Sequence, residues 1–314
     1  MGAACSSAME GWAVPLYDRE NQRWRRRSAL PLSSAVMFDP MQDFHSIDTG
    51  DENMNCLVET ALLTHGLRSI TSEELAQSWH CPDAVLAWVD RGELKLGLIG
   101  EYLPFRERSE ERIRIDCDHL EKALQTGASG ALTASGTMAA CRKLDIPVAI
   151  TCGMGGIGDL RGEELCPDLP ALMNIPVALI STSPKDMLDR PATLDWLRQH
   201  GVHTAGEPCT GYLFCGEPVA LELPLSSCNN EAAVRRLTAN GGLLILNPIP
   251  EKERVQDRSI LMDAIKAGKQ AEEEGRYYHP AANAEIDRRT DGYSSRIQLE
   301  SIQQNYLLAK SIMD

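Results

Sequence analysis

Four short segments carry side chains able to act on a substrate. In the apolar run 56–63 a single carboxylate, Glu59, interrupts the hydrophobic pattern. Burial raises a carboxyl pKa and suits it to proton transfer near neutral pH; the alternative is a structural salt bridge. After the apolar run 175–181, Lys185 stands at the mouth of a strand. A desolvated lysine there loses its proton and can attack an aldehyde carbon to form a Schiff base, while an exposed one only carries charge. Residues 151–158, TCGMGGIG, follow another apolar run. Their glycines either present backbone N–H groups to an anion or simply turn the chain tightly, and Cys152 reads as a nucleophile or as a small turn residue. Asn247, stopped by Pro248, either faces the same mouth or terminates a strand.

These side chains need a scaffold that gathers strand ends at one edge. Apolar runs of strand length at 56–63, 84–89, 146–151, 175–181 and 243–246 alternate with helical patterns at 129–144, 167–173, 193–200 and 231–239. A further helix-like stretch, 186–190, follows Lys185, and amphipathic segments 259–274 and 296–313 close the chain. Such alternation predicts an α/β domain, a mostly parallel central sheet with helices on both faces. Ligands in such sheets bind at the carboxyl ends of the strands, where all four segments fall. Residues 1–54 lack this periodicity and read as an irregular extension, with residues 55–314 as the catalytic domain. The Arg23–Arg27 stretch, interrupted by Trp24, is an anion patch, a targeting element or a solvated arm.

Composition narrows the partners. A formal charge of −14 over 314 residues opposes nucleic-acid binding, which draws its affinity from Lys and Arg neutralising phosphates. A small anion in a local basic pocket stays compatible with it. No apolar run approaches the roughly 20 residues needed to span a bilayer. The ten cysteines form no CxxC pair, which argues against structural zinc and fits reduced thiols in a cytoplasmic protein.

Taken in order, the segments resemble the pseudouridine-5'-phosphate glycosidase family. VETALLTHG at 58–66 is similar to that family's LESTIISHG, and SGALTASGTM at 129–138 to its NGATTVASTM. TCGMGGIGDLRG at 151–162 is similar to TGGIGGVHRG, PKDMLD at 184–189 to AKSILD, and GGLLILNPIPE at 241–251 to GGLVVANPIPE. The resemblance runs from about residue 56 to the end of the chain. It implies reversible cleavage of the carbon–carbon glycosidic bond of pseudouridine 5'-phosphate to ribose 5-phosphate and uracil. In that chemistry Lys185 is the Schiff-base nucleophile and Glu59 the proton carrier. The resemblance also implies substrate contacts from Arg114, Thr133, Ala134, Thr151, Cys166, Pro167, Asp168, Asn247 and Gln298, a divalent metal, manganese, at Glu164 and Asp159, and a homotrimer.

The sequence also departs from the family pattern. Arg114 replaces a phosphate-contacting lysine, keeping charge but changing geometry. Glu164 replaces the metal aspartate, and Asp159 and Leu160 stand where a histidine precedes the equivalent of Arg161. Between Gly66 and Leu98 the chain is about a dozen residues shorter and lacks a long helix. These differences leave open a synthase that joins ribose 5-phosphate to another carbon nucleophile, and a noncatalytic phosphosugar-binding relative.

Overall fold

The computed structural model describes residues 16–18, 23–25, 54–158, 166–208, 211–276 and 278–313. The chain divides into two compact units, Met1–Ser46 and Ile47–Asp314. In the first, β1 (Leu16–Asp18) pairs antiparallel with β2 (Arg23–Arg25); Arg26 and Arg27 of the basic run lie outside the described residues.

The second unit is built on a nine-stranded sheet. Its strands are β3 (Cys56–Val58), β4 (Leu86–Asp90), β5 (Glu93–Gly97), β6 (Ile113–Ile115), β7 (Gly130–Leu132), β8 (Val148–Ile150), β10 (Ala178–Ser181), β12 (His203–Gly206) and β13 (Leu243–Leu246). They run in the order β12-β13-β10-β8-β3-β4-β7-β6, with β5 on β4. All neighbours are parallel except the β4–β5 and β4–β7 pairs. A separate two-stranded pair joins β9 (Gly153–Met154) to β11 (Ser183–Pro184).

Side-chain alternation along the central strands sorts the core into two layers. Val58, Ile150, Ile180 and Ile245 face one side, packed under α1 (Ser72–Ser78), α2 (Ile99–Arg106), α7 (Glu231–Leu237), α8 (Arg258–Glu273), α9 (Tyr278–Arg289) and α10 (Tyr293–Met313). Leu57, Ala149, Leu179 and Leu244 face the other, against α3 (Leu120–Thr126), α4 (Ala134–Lys143), α5 (Asp168–Asn174) and α6 (Arg190–Gln199). Period-2 burial on both faces is what near-continuous apolar strands require, so the predicted three-layer α/β architecture stands.

Several local expectations change. The predicted strand 56–63 ends at Val58, because Thr60 turns its hydroxyl inward to bond Ala87 O at 2.7 Å and Leu132 N at 3.1 Å, and a π-helical turn follows at Leu62–Gly66. The predicted helix 129–144 contains β7 before α4, with Thr133 capping the helix through Gly136 N. Residues 186–188 form a turn instead of a helix, and α6 starts after Asp189, whose carboxylate caps Ala192 N at 2.9 Å. α9 was not foreseen: its apolar positions are mostly alanines and Pro280 sits in its first turn, so its hydrophobic stripe is faint.

Candidate active site

Parallel register brings the strand exits together. Val58 pairs with Ile150, Ile150 with Ile180, and Ser181 with Leu246. The ladder continues one residue further: Glu59 N donates to Ile150 O (2.9 Å), Thr151 N to Ile180 O (3.0 Å) and Asn247 N to Ser181 O (2.9 Å). Glu59, Thr151 and Asn247 therefore leave the sheet at one edge. Lys185 joins them from the end of β11, its N–H donating to Met154 O at 3.2 Å.

Glu59 is 6% exposed, and burial pushes its carboxyl up to about 7. The Thr151 hydroxyl, Lys185 and Arg114 pull in the opposite direction, and Asp168 adds a smaller upward push. The Thr151 hydroxyl, buried beside Glu59, favours the charged carboxylate. Lys185 and Arg114 act on the carboxylate through space, so the three candidate side chains lie within reach of one another's charge. A carboxyl titrating near 7 can both give and take a proton at physiological pH. Arg114 comes from β6, where it pairs with Ala131 of β7, the strand whose Leu132 N donates to Thr60 Oγ1.

The turn carrying Lys185 is fixed by its neighbour. Asp186 accepts three backbone N–H bonds, from Tyr212 (2.9 Å), Leu213 (2.7 Å) and Phe214 (3.0 Å). Burial still raises its pKa, with those amides and Arg190 opposing. Asp186 was not singled out by sequence, where an acid after a lysine is indistinguishable from surface charge.

Other predicted contacts are spoken for by protein atoms. Asp168, at the start of α5, accepts Ser135 N (3.0 Å) on one oxygen and Gly155 N (2.8 Å) on the other, tying α4 to the glycine-rich turn. The glycines of that turn serve close packing: a Cβ on Gly153 would lie 2.7 Å from the Tyr212 ring, one on Gly155 1.9 Å from Cys166 Sγ, and one on Gly156 2.5 Å from Thr193 Oγ1. With Gly155 N and Ile157 N bonded to Asp168 and Thr193, the turn offers these amides to the fold and not to an anion. Cys166 packs against this turn and Pro167 opens α5, while Thr133 and Ala134 form the start of α4. The Cys152 thiol is buried, pushed up to about 12, and sits 3.0 Å from Tyr212 Oη, which fits the turn-residue reading.

α10 stitches the exits from the other side. Gln298 Oε1 accepts the Tyr212 hydroxyl at 3.0 Å, and its Nε2 donates to Ser294 O at 3.0 Å. Asn305 Nδ2 donates to Thr151 O at 2.8 Å, and its Oδ1 accepts Asn247 Nδ2 at 3.0 Å. Ser301 bonds the Thr182 hydroxyl. Gln298 and Asn247 thus spend their amides on the scaffold.

The metal ligands expected from sequence, Asp159 and Glu164, lie outside the described residues. Among the described residues no group of three or more His, Cys, Asp or Glu side chains could hold an ion. Asp168, the acidic neighbour of the site, already has both oxygens engaged by backbone amides, so the described residues alone do not fit a metal centre. No helix among them is long and apolar enough to cross a membrane.

Two histidines that sequence reasoning passed over feel the charge of Arg114. His65, in the π-helical turn, donates or accepts at Arg112 O (3.0 Å) through Nε2, while burial and then Arg114 and Arg68 hold its pKa down. His279, second residue of α9, is pulled down to about 2 by burial first, then by Lys185 and Arg114. A histidine before a proline carries no motif, and only the fold brings α9 to the strand ends.

Comparison with known proteins agrees with this architecture. The family model described as indigoidine synthase A like protein matches residues 55–313. The pseudouridine-5'-phosphate glycosidase of Methylobacterium nodulans is 27% identical over 276 residues, 81% of each chain. That of Saccharopolyspora erythraea is 28% identical over 308 residues, 90% of this chain and 98% of its own. Among solved structures, the prealnumycin C-glycosynthase AlnA in complex with ribulose 5-phosphate superposes with a TM-score of 0.65 at 22% identity, covering 82% of this chain and 91% of that one. An indigoidine synthase A-like protein from Thermotoga maritima superposes equally well, with a TM-score of 0.65 at 19% identity. The chain belongs to the indigoidine synthase A like protein family, and its resemblance to the pseudouridine-5'-phosphate glycosidases extends over most of its length.

Proposed function

We propose that the protein is an enzyme that cleaves, reversibly, the carbon–carbon glycosidic bond of pseudouridine 5'-phosphate, giving ribose 5-phosphate and uracil. The observation that carries this reading is buried Glu59, raised to about 7, sharing its surroundings with Lys185 and Arg114. The names of the relatives support the substrate class. A pair of carboxylates, as in ordinary glycoside hydrolysis, would not serve, because the leaving group departs as carbon and not as oxygen.

The chemistry balances as follows. Neutral Lys185 Nζ attacks C1 of the sugar; the C1–N bond forms as the C1–O4 ring bond breaks, and O4 takes the proton that nitrogen loses. The nitrogen lone pair then makes an iminium as the C1–C5 bond to uracil breaks. The departing carbon keeps the bond pair and takes a proton from the Glu59 carboxyl. Water adds to the iminium, the Glu59 carboxylate recovers a proton, and ribose 5-phosphate leaves with the lysine restored. Arg114 would hold the phosphate by charge-assisted hydrogen bonds.

A manganese ion held by Asp159 and Glu164, a homotrimeric assembly and a cytoplasmic location complete the proposal on the strength of the resemblance and of cysteine use. No step above is routed through the metal. The bond-forming direction is a second reading, favoured by the likeness to a C-glycosynthase fold. Incubation with pseudouridine 5'-phosphate decides: uracil release supports cleavage, and its absence with no consumption of ribose 5-phosphate and uracil in reverse would overturn it.

A further inference from the structure

The chemistry above leaves His279 unused, and its setting is specific. Tyr278 anchors the start of α9 by packing so closely on α8 that a Cβ at Gly268 would lie 2.6 Å from its ring. The His279 ring stands edge-on to Tyr278, with centroids 5.4 Å apart and planes at 89°. Pro280 fixes the backbone immediately after it. The ring is thus held in place, on a helix that packs against the π-helical turn following Glu59, and the charges of Lys185 and Arg114 act on it through space. Its Nδ1 is nonetheless buried with no hydrogen-bond partner.

A buried ring nitrogen without a partner is rare, because folding removes its water and returns nothing. His65 offers an instructive contrast. Its Nδ1 is also unpaired, but its Nε2 is tied to the Arg112 carbonyl in its own neighbourhood, which accounts for its placement. No comparable bond to the protein accounts for His279 Nδ1. With burial first and the two cations acting through space, protonation is opposed, so the imidazole can contribute a hydrogen bond but little charge.

We infer that His279 is a further substrate-contacting residue, whose Nδ1 completes its hydrogen bonding with an oxygen of the phosphosugar held between Lys185 and Arg114. The inference rests on the phosphosugar reading of the site and deepens it. His279 binds the sugar phosphate common to either direction of reaction and is indifferent to which base is attached.

The test uses the full chain and ribose 5-phosphate as the probe. Calorimetric Kd values are compared for the unaltered protein, His279→Leu and His279→Asn, and the imidazole nitrogen resonances of His279 are followed in the unaltered protein during the titration. Loss of one such bond predicts about tenfold or more weaker binding in His279→Leu. His279→Asn, which keeps a polar atom near the Nδ1 position, should recover most of it, and the His279 resonances should move on saturation. A structural role would instead lower thermal stability in both variants and leave those resonances in place. Equal affinity for His279→Leu, or unmoved resonances at saturation, overturns the inference while leaving the phosphosugar reading intact. If the unaltered protein binds no ribose 5-phosphate, that reading fails first and this inference falls with it.

Discussion

Along α10, Gln298, Ser301 and Asn305 bury amides and hydroxyls whose partners are protein atoms: Tyr212, Thr182, Thr151 and Asn247. Across the strand exits they support, Glu59 is buried at the cost of a pKa raised to about 7, and His279 Nδ1 has no hydrogen-bond partner among the described residues. Both regions are polar and both are packed against the same sheet edge. The difference is that Gln298, Ser301 and Asn305 bond protein atoms, whereas Glu59 and His279 keep an ionisable or hydrogen-bonding group without such a match. Satisfied networks hold geometry, whereas buried groups left in need of a proton, a charge or a hydrogen bond mark where a substrate completes the structure.

Substitutions should separate the two regions, and the largest effect belongs to the nucleophile. Lys185→Ala should abolish measurable turnover of pseudouridine 5'-phosphate while ribose 5-phosphate still binds, read by a steady-state assay alongside calorimetry. Turnover within tenfold of the unaltered protein would remove Lys185 from the chemistry.

Next comes Glu59→Gln, which keeps the shape but not the ionisable proton. Turnover should fall by about 10² to 10⁴, the usual worth of general acid or base assistance, with the fold preserved. In the unaltered protein the pH–rate profile should show a limb near pH 7 that this variant lacks.

Asn305→Leu probes the complete region and should show the reverse pattern. Stranding the Asn247 amide and the Thr151 carbonyl should cost about 1–3 kcal/mol in urea unfolding. An equal loss of stability in Glu59→Gln would erase the contrast.

A last effect is in the pH dependence of stability. The folded state keeps the Glu59 proton up to about pH 7, whereas the unfolded chain releases it near 4.5. In that window the folded state binds more protons, so this group's contribution is fully present below 4.5 and is lost as pH rises through 7. Stability of the unaltered protein should therefore decline relative to Glu59→Gln by about 1.4 kcal/mol per pH unit across the window. Parallel curves for the two proteins would mean that Glu59 is not desolvated.

Much of this organisation was legible in the sequence, and its limits have physical causes. The strands at Val148–Ile150, Ala178–Ser181 and Leu243–Leu246 announce themselves as short apolar runs because both of their faces are buried. Glu59 was visible as a polar exception inside such a run and Lys185 as one just after another. The role of Asp168 was not, since a carboxylate that joins Ser135 N and Gly155 N acts between segments far apart in the chain. Nor could the glycines at 153–156 be told from an anion cradle until the Tyr212 ring, Cys166 and Thr193 were seen to fill the space a Cβ would need. His279 was hidden twice over, by the faint periodicity of α9 and by the absence of any motif around it.

The central claim is that Lys185 forms a covalent bond to the sugar carbon in the volume it shares with Glu59 and Arg114. Incubating the protein with ribose 5-phosphate and borohydride, then mapping peptides by mass spectrometry, tests it directly. A reduced pentose phosphate adduct on Lys185, retained in Glu59→Gln and absent in Lys185→Ala, is the expected result. Recovery of an unmodified Lys185 peptide under conditions where ribose 5-phosphate saturates the site would contradict it.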